Sequence, residues 1–524
     1  MAKEKIAAPP EQKHELRREV SVWGSYMWGY ADVGANTFVA LGLVMAYAQG
    51  AASLVFAIAG LTYVLIGLAY TELASTYPVS GGGPYYTLRS LGDFWGFVAG
   101  SGLLLAYTID IALFAVASAG YLNFFMPYVL GKEIEQFVIA FGPFQVNWLW
   151  GCETLFLILI LIWLNIKGIK ESSFLNEVIG IIVIVLESSL IVLGLIFAWK
   201  PELLASQWIN QFPTFKSFTY SVSLAIISFI GLESISQAAQ ETKRPATIIP
   251  RTSLALTFSV FIFAVSFSTL GLGVLPWQRF AENVDNPLAV LASSFPLVGL
   301  IAGPLTAALG ALILFISSNT GIMGASRLTY SFSQYGIISS WFGQVHRKYR
   351  TPVRTILVFS LIGIVQTILS FLTPSVMETL AIMYAFGATL GYTLVFIALI
   401  KLRFSDPYSP RPYKIPLNLN FKYKTLKVQF PILALVGMLA VGTIFSQIIL
   451  TNKIGRIAGP LWVIACFVYY AWYRKKEGLP VFRSAKHDWE KEQIEVLTSA
   501  EEFDLLEQYK NSLAERDKKR VRLK

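Results

Sequence analysis

The chain has 524 residues, of which 55% are hydrophobic and only 14% charged, and its formal net charge is +10. A soluble protein would carry about a quarter charged residues, whereas apolar runs of about 20 residues recur along this chain, so we expect an all-α membrane protein rather than a soluble domain or a β-barrel. Its two cysteines lie in apolar runs and its three histidines in polar connections, which gives neither metal-ligand spacing nor a buried Cys/His catalytic pair. We therefore expect neither an enzyme nor a resident metal or cofactor.

The apolar runs predict twelve transmembrane helices, which we call spans 1 to 12. They lie at about 20–48, 51–75, 94–125, 147–167, 172–198, 217–241, 252–275, 298–330, 354–372, 376–401, 430–450 and 457–473. Of the 42 Lys and Arg residues, only six fall on the side opposite the two termini: Lys132, Lys200, Lys216, Arg279, Lys453 and Arg456. This positive-inside pattern predicts that both termini are cytoplasmic. It also accounts for the basic net charge, so we expect no nucleic-acid partner.

The order of these runs divides the chain into five predicted regions. Residues 1–19 form a cytoplasmic arm, 20–401 a ten-helix transport core, 402–429 a cytoplasmic loop, 430–473 spans 11 and 12, and 474–524 a charged cytoplasmic tail. Within the tail, Phe503, Leu506 and Tyr509 recur at a spacing of three, which predicts a helix around Ala500–Leu513. We expect that helix to be solvated; a regulatory or partner-binding tail is the alternative.

Polar residues interrupt the centre of span 1. Asp32, Gly34 and Asn36 lie midway along a run that is otherwise long enough to cross the bilayer. An acid at membrane depth costs about 3 kcal/mol or more and is kept mainly where it faces a partner, an ion or a substrate. Glycine beside it lets the backbone leave the helix and present free amides and carbonyls. We expect a broken helix in which Asp32 binds a cation or amino group, or takes up a proton. The alternative is a structural acid paired with a hydroxyl of a neighbouring span.

Span 6 repeats this pattern, because Gly231 and Glu233 stand at its centre. Two interrupted spans that lie five spans apart indicate an inverted repeat of five plus five helices, here 20–198 and 217–401, with the binding site where the two breaks meet. The N-terminus of a half-helix can hold a carboxylate there, and freed carbonyls can hold a cation or an ammonium group.

Other spans place polar and aromatic side chains at the same depth. Candidate substrate-binding residues are therefore Asp32, Gly34, Ala35, Asn36, Tyr107, Phe229, Gly231, Glu233 and Tyr384, and candidate residues for coupling to H⁺ or Na⁺ are Asp32, Asp110, Ser317, Ser318 and Asn319. We expect the span 8 residues either to coordinate sodium together with carbonyls of span 1 or to make ordinary interhelical hydrogen bonds. Glu187 in span 5 is either functional or structural. Glu72, at the inner end of span 2, is expected to act as a gate or a loop anchor.

Several of these stretches resemble a known superfamily. Gly34–Val39 is similar to the Gly-[Ser/Thr]-Gly-Ile-Phe-Val motif of amino acid permeases, and Tyr70–Gly82 is similar to their Tyr-x-Glu-[Leu/Phe]-Ala motif with the Pro-x-x-Gly that follows. Phe229–Ser236 and Glu241–Pro245 resemble segments of cationic amino acid transporters. Over roughly residues 20–400 the chain thus resembles the amino acid–polyamine–organocation superfamily. The resemblance implies a LeuT-type fold and alternating-access transport of an amino acid or related amine.

A few segments are similar to potassium importers of the same superfamily. Tyr30–Gly34 resembles the Tyr-Gly-Asp-Ile-Gly of KUP proteins, and segments of spans 8 and 10 resemble KimA-type importers. In that branch Asp32 and Tyr384 would help to hold potassium. The sequence therefore predicts a secondary active transporter of an amino acid or related amine, with proton-coupled potassium uptake as the alternative. The expected partners are a small-molecule substrate and the lipid bilayer of the plasma membrane; the oligomeric state is left open.

Overall fold

The computed structural model describes residues 21–132, 134–142, 144–167, 172–346, 349, 351–423 and 426–522, and the predicted arm at 1–19 lies outside these described residues. Its helices are α1 Val22–Val33, α2 Asn36–Ala48, α3 Ala52–Thr76, α4 Gly82–Leu91, α5 Asp93–Asn123, α6 Met126–Leu130, α7 Trp148–Lys167, α8 Ser172–Phe197, α9 Pro201–Asn210, α10 Phe215–Ala225, α11 Glu233–Gln237, α12 Pro245–Val274, α13 Trp277–Glu282, α14 Pro287–Ser293, α15 Gly299–Gln334, α16 Val353–Ser370, α17 Val376–Ser405, α18 Ile432–Thr451, α19 Lys453–Lys476, α20 Trp489–Ser499 and α21 Phe503–Arg522. Single 3₁₀ turns occur at Gln49–Ala51, Ile134–Phe137, Ile226–Phe229, Ala238–Gln240 and Ser340–Gly343. The strands form two antiparallel hairpins, β1 Val138–Phe141 with β2 Phe144–Asn147 and β3 Asn418–Tyr423 with β4 Leu426–Pro431.

Eleven helical stretches of the described residues are long and apolar enough to cross a membrane. The first, Val22–Thr76, has 55 residues, whereas one crossing needs about 20. It contains predicted spans 1 and 2 and is interrupted at Gly34–Ala35 and again at Gln49, whose φ is +49°. Each predicted span falls on helical structure, so the predicted all-α membrane architecture is confirmed. The count of twelve crossings and the inverted repeat stay predictions.

Helix α5 forms the centre of the protein. Its apolar stretch is buried along its whole length, and it packs against α15 and α17. Helix α12 packs along α3 on another side of the core. Such helices satisfy their backbone polar groups internally, which is the condition for burial in lipid or among other helices. The polar side chains of α5 are therefore held far from water unless the surrounding helices move.

Two connections have regular structure that the apolar pattern does not reveal. The glycine-rich turn after span 2 leads directly into α4, and Gly81 and Gly82 make that turn with φ values of +112° and +50°. The loop at 402–429 contains the β3–β4 hairpin. Both elements are short and lie outside the long apolar runs, so a search for 20-residue spans passes over them.

Glu72 anchors the loop that carries this hairpin. Its buried carboxylate accepts hydrogen bonds from Arg403 Nη2 at 2.7 Å, Arg411 Nε at 3.2 Å and the Ile415 N–H at 2.8 Å. Two guanidinium groups and one amide neutralise and satisfy a carboxylate that would otherwise be costly to bury. Of the two roles predicted for Glu72, gate or loop anchor, these contacts are those of a loop anchor.

The tail is packed rather than solvated. The predicted helix at Ala500–Leu513 starts only at Phe503, because a turn separates α20 from α21. Leu506 and Tyr509 are buried together with Leu497, whereas Phe503 is exposed. Burial raises the pKa of Tyr509 to about 12. The two tail helices therefore fold back on the protein, against the expectation of a solvated helix.

Candidate functional site

Spans 1 and 6 are both interrupted, as predicted, but to different degrees. At the first break the backbone stays right-handed, and the Ala35 carbonyl accepts from the Phe38 N–H at 3.1 Å, one residue short of the usual helical spacing. At the second break the chain leaves the helix: Ile230 is extended and Gly231 has a φ of +123°. The first break is thus a local tightening into a 3₁₀-type turn, and the second is a true discontinuity.

The two breaks contact each other. The Asn36 side-chain amide donates to the Ile230 carbonyl at 2.6 Å. Gly231 packs on Asp32 so closely that a Cβ at position 231 would lie 2.8 Å from the Asp32 carboxyl carbon. Only glycine combines this close approach with a positive φ at no steric cost. We call the region where these residues meet the junction.

Three carboxylates are buried at the junction. Thr320 Oγ1 lies 2.7 Å from Asp32 Oδ1 and 3.2 Å from Asp110 Oδ2, so one hydroxyl stands between two acids. Glu233 Oε2 accepts from the Tyr392 hydroxyl at 2.6 Å and from the Gly231 N–H at 3.2 Å. Within the described chain none of the three acids forms an ion pair. Carboxylates buried together need a proton or a cation to neutralise them.

Two predicted tyrosines lie beside these acids. The Tyr384 side chain lies beside Asp110, and its ring meets Phe114 of α5 edge to face with the centroids 5.9 Å apart. The Tyr107 hydroxyl accepts a hydrogen bond from the side-chain amide of Gln237, at the end of α11. The structure therefore connects α5 to the second broken span through one tyrosine and to α17 through another.

The three predicted residues of span 8 contact different parts of the protein. Ser317 Oγ donates to the Asp32 carbonyl of span 1 at 3.2 Å, whereas Ser318 Oγ donates to the Ile111 carbonyl of α5 at 2.8 Å. Asn319 turns away from the junction and accepts from the Asn165 amide of α7. Thr320, which the sequence did not single out, is the residue that reaches the acids. The signal was its spacing of three from Ser317, which puts both on one helix face.

Two other predicted residues point away from the acids. Phe229 stacks on Tyr63 of α3 with ring centroids 5.2 Å apart, so it belongs to the packing between α3 and the 3₁₀ turn before the break. Glu187 accepts a hydrogen bond from the Tyr30 hydroxyl, and its Oε1 has no partner among the described residues. The structure thus places Glu187 in a second buried pair, separate from the three acids.

The junction is closed to solvent. Asp32, Asp110 and Glu233 are 3%, 2% and 1% exposed, and Asp110 Oδ1 and Asn36 Oδ1 have no hydrogen-bond partner in the described chain. Buried polar atoms are normally satisfied. These two oxygens are acceptors available to a bound group.

Broken helices, buried unpaired acids and eleven apolar helical stretches together describe a membrane transporter core. A family model described as amino acid permease matches residues 21–472. The chain belongs to the amino acid permease family. This membership confirms the predicted superfamily, a multi-pass membrane protein and a transport function.

Three relatives within this family illustrate its range. The branched-chain amino acid permease BcaP of Bacillus subtilis is 28% identical over 422 residues, which cover 78% of this chain and 86% of that protein. The methylthioribose transporter of the same organism is 27% identical over 420 residues, covering 79% and 87%. Mouse cationic amino acid transporter 4 is 28% identical over 414 residues, covering 75% and 62%. These relatives are transporters rather than enzymes, and they give no support to the potassium alternative.

Proposed function

We propose that this amino acid permease carries an amino acid or a related amine by alternating access, and that the junction binds the amino group of the substrate. The observation that carries the proposal is the set of three buried carboxylates, Asp32, Asp110 and Glu233, without an ion-paired partner in the described chain. An ammonium group neutralises such a cluster and can donate three hydrogen bonds at once. The free oxygens of Asp110 and Asn36 are the acceptors proposed for those donors.

The first break supplies a complementary place for a substrate carboxylate. Helix α2 begins at Asn36, and the Ala35 N–H before it donates to no backbone acceptor in the described chain. A helix N-terminus carries partial positive charge and free N–H groups, which favour a carboxylate. An amino acid placed across the junction would therefore have each charged end opposite a group of the other sign.

Coupling to H⁺ or Na⁺ is part of the same proposal. Thr320 between Asp32 and Asp110 lets the two carboxyl groups share one proton, and Ser317 beside the Asp32 carbonyl offers oxygens of the kind that hold sodium. Asp32 also has the hydroxyl partner that a purely structural acid would have, and uptake by Asp32→Asn distinguishes the two roles. We propose the plasma membrane as its location, and from the charge asymmetry we infer that both termini lie in the cytoplasm.

Uptake into proteoliposomes tests the proposal. The full chain is reconstituted and offered radiolabelled pools of basic, branched-chain and other amino acids, amines, methylthioribose and rubidium as a stand-in for potassium, under a pH gradient or a sodium gradient in turn. We expect accumulation of at least one amino acid or amine pool, and its loss in Asp32→Asn. Glu202→Gln, on the exposed helix α9, should transport normally. Rubidium accumulation with no organic substrate would contradict the proposal, as would normal uptake by Asp32→Asn.

A further inference from the structure

The C-terminal tail contacts the ends of several core helices on one face of the protein, which we call the tail face. The Gln493 side-chain amide donates to the Thr76 carbonyl at the end of α3, at 2.9 Å, and is itself buried. Glu502 Oε1 accepts from the Ala246 N–H in the first turn of α12, at 3.1 Å. The tail therefore bridges a helix from each of the two predicted repeats.

One carboxylate oxygen of α20 joins two further elements. Glu492 Oε1 accepts from the Tyr85 hydroxyl of α4 at 3.0 Å and from the Tyr335 hydroxyl, just after α15, at 2.5 Å. Burial raises the pKa of both phenols, so both remain donors at physiological pH. Hydrogen bonds to a charged acceptor are among the stronger ones in proteins. Glu492 thus holds the ends of α4 and α15 together.

An arginine of α4 reinforces this contact. Arg89 pairs with Asp406 at 2.9 Å, and its guanidinium carbon lies 4.4 Å from the ring centroid of Tyr77 and 5.5 Å from that of Trp489. A guanidinium between two aromatic faces adds cation–π attraction to the ion pair. Trp489, the first residue of α20, is thereby fixed against α4 and the end of α17.

A separate anchor sets the position of the tail. The Asp93 carboxylate, at the start of α5, accepts from Arg474 Nη1 at 2.9 Å and from the Ala485 N–H at 2.9 Å, with His487 Nε2 3.1 Å away. The segment between α19 and α20 is therefore tied down before α20 begins. Trp489, the first residue of α20, stacks on His487 with ring centroids 4.6 Å apart, whereas the contacts of Glu492 and Gln493 lie further along α20, beyond this anchor.

Helix α4 lies between the junction and helix α20. Glu233 begins α11, and three residues later Ser236 lies directly against Gly82 at the start of α4. Tyr85, one turn further along α4, bonds to Glu492. The start of α4 thus fills the space between the junction and the tail. A route from the junction to this face would therefore require α4 to part from α11 and from α20.

We propose that α20 is a latch: it holds the tail-face gate of this permease shut, and it must detach from Tyr85, Tyr335 and Thr76 before the gate opens. The tail then sets the fraction of molecules that are open on this face. The latch acts on the gate rather than on the substrate, so its action does not depend on what is carried.

Thiol labelling of the full chain tests the latch. Ser331 is buried at the end of α15, where its hydroxyl donates to the Ser80 carbonyl at 3.0 Å. In a chain in which Cys152 and Cys466 are replaced by serine, Ser331→Cys provides a reporter that a maleimide reaches only when the gate opens. We expect Glu492→Ala to increase the labelling rate about tenfold or more, as the loss of two hydrogen bonds to a charged group implies. Glu495→Ala, on the exposed side of the same helix, is the matched control and should change the rate less than about twofold.

A milder variant tests the latch if Glu492→Ala does not fold. Tyr335→Phe removes one hydroxyl and keeps the ring, and it should raise the labelling rate about tenfold with a wild-type unfolding profile. The proposal would be overturned if the reporter chain, Tyr335→Phe and the Glu495→Ala control were all labelled at the same rate. Faster labelling in Glu495→Ala as well would also overturn it, since the effect would then come from general loosening of the tail.

Discussion

Replacing Gly231 by alanine tests the conformation of the second break. Its φ of +123° lies where an L-residue is strained by about 1–3 kcal/mol. The added Cβ would also stand 2.8 Å from the Asp32 carboxyl carbon and 3.0 Å from Val33 Cγ2, closer than carbon atoms pack. We expect the free energy of unfolding to fall by about 1–3 kcal/mol from the backbone alone, and further because the junction must shift. Substrate uptake should be lost.

Thermal unfolding of the purified protein measures this effect. The control is Gly442→Ala in α18, where a Cβ meets nothing within 4 Å. Alanine is the better helix former by about 1 kcal/mol, so the control should unfold at or above the wild-type temperature. An unchanged unfolding temperature for Gly231→Ala would refute the left-handed conformation on which the junction depends.

A double variant separates the two causes of the lost stability, which are the backbone strain at residue 231 and the clash with Asp32. Asp32→Ala removes the carboxylate that the new Cβ would strike but leaves the φ of residue 231 unchanged. Gly231→Ala should therefore destabilise the Asp32→Ala background less than it destabilises the wild type, and contacting residues typically couple by about 0.5–3 kcal/mol. Equal destabilisation in both backgrounds would refute the contact between Gly231 and Asp32.

Three further predictions follow from buried polar contacts. Tyr392→Phe removes the hydroxyl that donates to Glu233 at 2.6 Å, and leaving that carboxyl short of a partner should cost about 1–3 kcal/mol in thermal unfolding; no shift would count against the contact. Glu72→Ala leaves two buried arginines unpaired and should cost about 3–5 kcal/mol, seen as a lower unfolding temperature, whereas a wild-type value would show that the loop anchor is dispensable. Burial raises the pKa of Asp406, but the Arg89 guanidinium, the Ser409 hydroxyl and the Arg411 guanidinium together lower it by more, so that pKa lies below its usual range. The ion pair between Asp406 and Arg89 therefore contributes its full stabilisation above about pH 3.9. That contribution is lost as the pH falls through the lower pKa that Asp406 has in the folded protein. As the pH falls from about 3.9 toward that lower value, pepsin should cleave the tail from the wild-type protein at an increasing rate. The cleavage rate of Asp406→Asn should change less over the same pH range.

The position of both helix breaks could be predicted from the sequence, because an acid close to a glycine is seldom kept inside an apolar run unless the helix is interrupted there. The difference in backbone geometry between the two breaks could not be predicted from the sequence. Gly34 keeps a right-handed backbone, whereas Gly231 has a φ of +123°, and both are simply glycine in the sequence. The hydrogen bond from Asn36 to the Ile230 carbonyl joins residues 194 positions apart, so no local pattern indicates it.

Helical phase explains why the three polar residues of span 8 contact different helices. Consecutive residues of a helix point about 100° apart, so Ser317, Ser318 and Asn319 cannot face one site. The structure sends them to the Asp32 carbonyl, to α5 and to α7 respectively, while Thr320 returns to the face of Ser317. Polar composition identified the segment, but spacing was needed to choose the residues.

The packing of the tail depends on contacts that composition does not report. Its charged sequence favours solvation, yet two of the side chains that attach α20 to the core, Glu492 and Gln493, are polar ones. Their partners are two tyrosine hydroxyls and a backbone carbonyl at the ends of distant helices. Only the assembled fold brings those groups to one surface.

The burial of the junction has a consequence for how ligands associate with this permease. A closed site binds only in the fraction of molecules that is open, so the apparent Kd equals the intrinsic value divided by that fraction. If about one molecule in a hundred is open, a substrate appears about a hundredfold weaker than its contacts would make it. Association should then reach a limiting rate that rises no further with substrate concentration, because opening precedes binding. Weak binding in an equilibrium screen would consequently measure how often the protein opens rather than how well Asp32, Asp110 and Glu233 match the substrate.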